Sequence, residues 1–140
     1  MKNNKGGYML HFKLKQIEHE NETWKRVLDF MTDENIRLKN RLSEILKGNI
    51  DNNLLKKAED FQNNFVRTDD LIRFLRNDIA TFDKLLTREI IGDGDRFGEL
   101  TKKVKSIRAN IGNAEKQFNK LKLEFNNYLL EHTYSGEIGS

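Results

Sequence analysis

The chain has no cysteine and no proline in its 140 residues, and few serines or threonines. Without cysteine there is no disulfide, no thiolate nucleophile and no Cys-based zinc site, which fits a reducing compartment. Without proline no residue is obliged to drop a backbone hydrogen bond and kink a helix, so long unbroken helices are favoured. Long apolar runs are also lacking: none approaches the roughly 18 residues of a membrane span. Residues 1–7 carry lysine but are followed by no apolar segment, so a signal peptide is not expected and the default location is cytoplasmic. Nor is there an excess of charge of one sign. Lys and Arg number 25 against 22 Asp and Glu, a formal net charge of +3.

What is present is a strict apolar rhythm. The composition is 36% hydrophobic and 34% charged, a balance that favours disorder unless it is patterned. Here it is patterned. From Leu10, steps of four and three reach Leu14, Ile17, Asn21, Trp24, Leu28, Met31, Asn35, Leu38, Leu42 and Ile45, all apolar except the two asparagines. An apolar residue every 3.5 positions draws one continuous seam along a helix. A second seam runs Leu54, Ala58, Phe61, Phe65, Thr68, Ile72, Leu75, Ile79, Phe82, Leu86 and Ile90. A third runs Phe97, Leu100, Val104, Ile107, Ile111, Ala114, Phe118, Leu121, Phe125, Tyr128 and His132.

These seams predict helices over about 9–47, 52–91 and 96–132, a flexible leader over 1–8 and a flexible tail over 133–140. At 1.5 Å per residue each helix would be on the order of 55–60 Å long. Gly48 suits a helix C′ position, Asn49, Asp51 and Asn52 supply turn and cap chemistry, and Asp95 is placed to cap the third helix. Short connections force antiparallel neighbours. The expected fold is therefore all-α, an up-down-up three-helix coiled coil forming one domain, with a helical hairpin completed by another chain as the alternative. Counting outward from each turn sets Leu38 level with Phe61 and Phe125, and Trp24 level with Leu75 and Ile111.

The polar seam residues point to specification. A buried Asn at such a position costs stability and fixes register or partner number. Asn21 is expected level with Ile79 and Ile107, Asn35 with Phe65 and Leu121, each needing a water or flanking side chain as its partner. The other reading of these residues is a polar pocket that accepts a small ligand.

Catalytic constellations are not found. The residues three before His11, His19 and His132 are Tyr8, Gln16 and Leu129, so the Glu-x-x-His pairs of di-iron bundles are missing, and the three histidines cannot converge. Counting twelve from Asp93 reaches Val104 rather than the bidentate Glu of a calcium loop. No serine has a histidine alongside, and no Gly-rich phosphate loop occurs. Glu18, Glu20, Glu22, Asp69 and Asp70 read as helix-surface charge. No enzyme activity, cofactor or metal is expected.

Two surface features remain. The cations Lys102, Lys103, Lys105, Arg108, Lys116, Lys120 and Lys122 are set against Glu115 alone, and Lys102, Lys105, Lys116 and Lys120 fall outward. Such a stripe is either a solvated or acid-binding face, or an anion-binding footprint for nucleic acid or an anionic membrane surface. Exposed flanking apolars, Phe12, Phe30, Phe74, Leu129 and Leu130, are candidate contacts with a protein partner or a second copy of the chain. Gly112 stands outward in mid-helix, from drift, a bend or the close approach of another helix. The expected function is a non-enzymatic interaction or scaffolding module, with nucleic-acid or anionic-surface binding as the alternative.

Overall fold

The computed structural model describes residues 4–48, 51–92 and 96–139, with side chains described over 9–48, 51–92 and 96–131. They form an all-α three-helix bundle of α1 (Asn4–Leu46), α2 (Asn52–Ile91) and α3 (Phe97–Gly139). There is no strand among the described residues, and no helix among them is long and apolar enough to cross a membrane. Two boundaries differ from expectation. α1 takes in Gly6 and Gly7 from the expected leader, and α3 takes in residues 133–139 of the expected tail. An interior Gly costs a helix about 0.5–1 kcal/mol but does not forbid it, and no Pro intervenes to stop either helix.

The helix ends show how the turns are made. The Asp51 side-chain oxygen Oδ1 accepts from the Leu54 backbone N–H at 2.9 Å, the cap expected of it. Gly48 follows α1 without positive φ, contrary to the usual C′ geometry; a Cβ there would meet the Ile45 carbonyl at 3.3 Å. Gly92 does adopt φ 86°, donating its N–H to the Glu89 carbonyl at 3.1 Å. The Glu89 side chain then reaches over the turn and accepts from the Arg96 N–H at 3.0 Å. This inverts the expected end of the second seam. Glu89 is buried at 5% exposure and Ile90 is 48% exposed, because a three-residue step from Leu86 keeps the rhythm and the carboxylate has a donor to meet. Asp95 lies outside the described residues, as does the side chain of His132.

The chain packs as two compact units, each built from a piece of every helix. The first comprises Met1–Asp29 and Arg73–Gly112. Its buried residues include Leu14, Ile17, Trp24, Leu75, Ile79, Phe82, Leu86, Leu100, Val104 and Ile107. Trp24 meets Phe82 edge-on at 5.6 Å. That residue lies two helical turns of α2 beyond Leu75, because a long side chain leans toward the N-terminus of its own helix. Leu10 is exposed rather than buried, near the end of its seam where fewer neighbours cover it.

The second unit comprises Phe30–Ile72 and Asn113–Ser140. Its core gathers Leu42, Leu54, Ala58, Phe65, Leu121, Phe125 and Tyr128, with Leu38, Ile45, Phe61 and Leu129 partly buried against them. Leu38 and Phe61 therefore join Phe125 in one cluster, as their seam positions require. Four rings pack there: Phe65 meets Phe125 edge-on at 5.1 Å, and Phe61 lies 5.2 Å from both Phe125 and Tyr128. The Tyr128 hydroxyl donates to the Leu54 carbonyl at 3.1 Å, which lets a phenol sit in an apolar core. Burial first, and then the charges of Asp51 and Glu131, raise the Tyr128 pKa.

Candidate functional site: paired polar layers and charged grooves

Each unit contains one buried asparagine among the described residues, and each donates to a carboxylate of α2. In the first unit Asn21 is 2% exposed. Its Nδ2 donates to Asp83 Oδ1 on α2 at 2.5 Å. Lys25, one turn further along α1, places its Nζ 3.1 Å from Asp83 Oδ2. Beside Asn21, Glu20 is gripped by α3: Arg108 donates to both its oxygens, each at 2.7 Å. Partial burial pulls the Lys25 pKa down, but Asp83 and then Glu22 outweigh it and hold it above the usual lysine value. The Arg108 pKa is raised by its hydrogen bonds to Glu20 and by that residue's charge.

In the second unit Asn35 is fully buried. Its Nδ2 donates to the Phe65 carbonyl at 2.9 Å and to Asp69 Oδ1 at 2.7 Å. Lys39 donates to Asp69 Oδ2 at 2.5 Å. Glu34 meets Lys122 of α3 at 3.5 Å and also pairs with Arg37. The Lys122 ammonium lies 5.5 Å from the Phe30 and the Phe118 ring centroids, close enough for cation–π attraction.

The two sets correspond member for member at a spacing of fourteen positions. Glu20, Asn21 and Lys25 on α1 become Glu34, Asn35 and Lys39; Asp83 on α2 becomes Asp69; Arg108 on α3 becomes Lys122. Each layer thus ties α1 to both other helices through polar bonds, and an asparagine amide donates to a carboxylate that only accepts. The Oδ1 atoms of Asn21 and Asn35 accept no hydrogen bond among the described residues. An unmade bond of that kind costs about 1–3 kcal/mol, so these layers spend stability.

The structure corrects two site assignments made from the sequence. Glu20 and Asp69 are partly buried ties between helices, not solvated surface charge. Leu129 is half-buried against the Phe125 and Tyr128 cluster rather than fully exposed, since it follows Phe125 by one turn and faces the same way. The doubled layer itself was missed. Its signal was the dipeptide Glu-Asn, present at 20–21 and again at 34–35, each time followed by Lys four residues after the Asn.

The surface candidates separate in an informative way. Phe12, Phe30 and Phe74 are 61%, 58% and 60% exposed, and Leu130 is 69% exposed. Of the α3 cations, Lys103, Arg108 and Lys122 pair with Asp78, Glu20 and Glu34. Lys102, Lys105, Lys116 and Lys120 are exposed and pair with no carboxylate among the described residues. No group of three or more His, Asp or Glu side chains that could hold a metal is found among them; His11 and His19 both face solvent. At Gly112 a Cβ would meet nothing within 4 Å among the described residues, so no close approach among them requires the glycine.

No protein-family model, curated protein or solved structure matches this chain.

Proposed function

We propose that the chain is a non-enzymatic protein-interaction or scaffolding module working in the cytoplasm. The observation that carries this reading is the display of three phenylalanines at about 60% exposure on helices whose seams already fill their cores. Large aromatic side chains are the residues most enriched in interface anchors. The partner is another protein or a second copy of the chain. An affinity pull-down from native lysate, with and without nuclease, tests it: protein partners that survive nuclease and are lost in Phe30→Ala with Phe74→Ala are the expected result. Partners unchanged by both substitutions would remove these contacts from the interface.

A second reading, binding of nucleic acid or another anionic surface, is supported by the four exposed lysines of α3 that pair with no carboxylate among the described residues. Neutralising phosphates releases counterions, so that binding would fall steeply with salt. Binding that persists unchanged in about 0.3 M salt would count against it.

A further inference from the structure

In each unit, taken by itself, the groove between α1 and α3 gathers positive charge. In the first unit it is an open cleft of about 420 Å³ where Lys13, Lys105 and Arg108 face Glu20. Its floor includes the buried side chains Ile17 and Val104. In the second unit it is a cleft of about 450 Å³ where Arg37, Arg41 and Lys122 face Glu34, beside the partly buried Leu38 and Leu129. The single acid of each groove is already held by a cation of α3. That leaves Lys13, Lys105 and Arg41 without a carboxylate among the described residues. The α2–α3 grooves of the second unit are balanced: Lys57, Arg67 and Lys120 stand against Asp60, Glu124 and Glu131.

We propose that the α1–α3 groove of each unit docks an acidic amphipathic helix of a partner protein. This rests on the interaction reading above but goes beyond it to a second surface, since Phe12, Phe30 and Phe74 line neither groove. A helix laid in a groove needs apolar anchors at i, i+3, i+4 and i+7 against an apolar floor, which Ile17 with Val104, or Leu38 with Leu129, provide. Carboxylates flanking those anchors meet Lys13 and Lys105 on the two walls of the first groove and Arg41 on the α1 wall of the second, and charge complementarity of this kind sets partner choice and speeds association. A phosphate backbone would meet the same cations, but it has no apolar group to lay on the floor.

The test uses a fluorescein-labelled three-heptad peptide with Leu at a and d and Glu at e and g, titrated with the full chain at low salt and followed by anisotropy. A scrambled peptide of the same composition and a DNA duplex are run beside it. The amphipathic peptide is expected to bind at least about tenfold more tightly than the scrambled one. Lys13→Glu with Lys105→Glu removes the first groove's share of binding and Arg37→Glu with Arg41→Glu the second's, with helicity checked by circular dichroism. Equal affinity for the scrambled peptide, or no loss in either charge reversal, overturns the proposal. So does binding of the duplex but not of the peptide, which would move the α3 lysines to first place. Failure of the peptide while protein partners still survive nuclease in the pull-down overturns this occupant alone and leaves the interaction reading standing.

Discussion

The two units solve one problem with different materials. Both hold a buried asparagine against a carboxylate of α2 that a lysine of α1 also meets, beside a glutamate held by a cation of α3. Around that layer the first unit is aliphatic with one aromatic pair, Trp24 and Phe82, whereas the second is built on four packed rings. The second asparagine is also better provided for: among the described residues Asn35 donates to a carbonyl as well as to Asp69, while Asn21 donates to Asp83 alone. The comparison teaches that the polar layer does not depend on one particular core around it. It is a repeated device set into two unlike apolar settings.

The sharpest way to break the second unit selectively is through its rings. Phe125→Ala removes a fully buried side chain that touches Phe61 and Phe65, and should cost about 3–5 kcal/mol. Chemical denaturation measures the loss, and native-state hydrogen exchange should show protection falling first in the second unit.

The layers themselves are compared by deleting each carboxylate. Asp83→Ala leaves the Asn21 amide without its acceptor, a penalty of about 1–3 kcal/mol. Asp69→Ala leaves Asn35 its bond to the Phe65 carbonyl and should cost less, by about 1 kcal/mol. Equal losses in urea unfolding would mean that the lysine contacts, not the asparagines, carry these layers.

A pH titration probes Lys25 of the first unit and Tyr128 of the second in one window. Tyr128 and Lys25 both bind their protons more tightly folded than unfolded. Their contribution is therefore complete below the unfolded values, about 10 for both, and is lost as pH rises through the folded ones. Stability should fall above about pH 10, and Tyr128→Phe should flatten that fall at the cost of its bond to Leu54. The smallest change expected is a gain: Gly112→Ala meets no atom within 4 Å and should stabilise by about 0.5–1 kcal/mol, read as a higher denaturation midpoint.

Much of this architecture could be read from residue spacing. Apolar residues that recur every 3.5 positions leave few alternatives to helices packed along their seams, and Asn35 duly meets Phe65. The ends of the seams were less legible. Glu89 is buried in place of Ile90 because a backbone N–H across the turn needs an acceptor, and periodicity carries no information about turn donors. The partners of the asparagines were hidden for a similar reason. Asp69 and Asp83 lie on the flanks of α2, where a carboxylate beside a core position looks the same in sequence as one in solvent. The outward phenylalanines and the α3 lysines were read correctly as exposed, but Leu129 was not. Its one-turn offset from Phe125 mattered more than its flanking place in the pattern.

The fourteen-position spacing of the polar layers carries a further consequence. Two marks on one ruler can be matched against two marks on another in a single alignment. If α2 were displaced along α1 by two heptads, so that Asp69 reached Asn21, Asn35 would stand opposite Leu55 instead of a carboxylate. Displaced the other way, Asp83 would reach Asn35 and Asn21 would come opposite Phe97, beyond the end of α2. Every misalignment of that size is therefore flagged by one mismatched mark. The pair works as a parity check on the helix alignment, which an uninterrupted row of leucines could not perform.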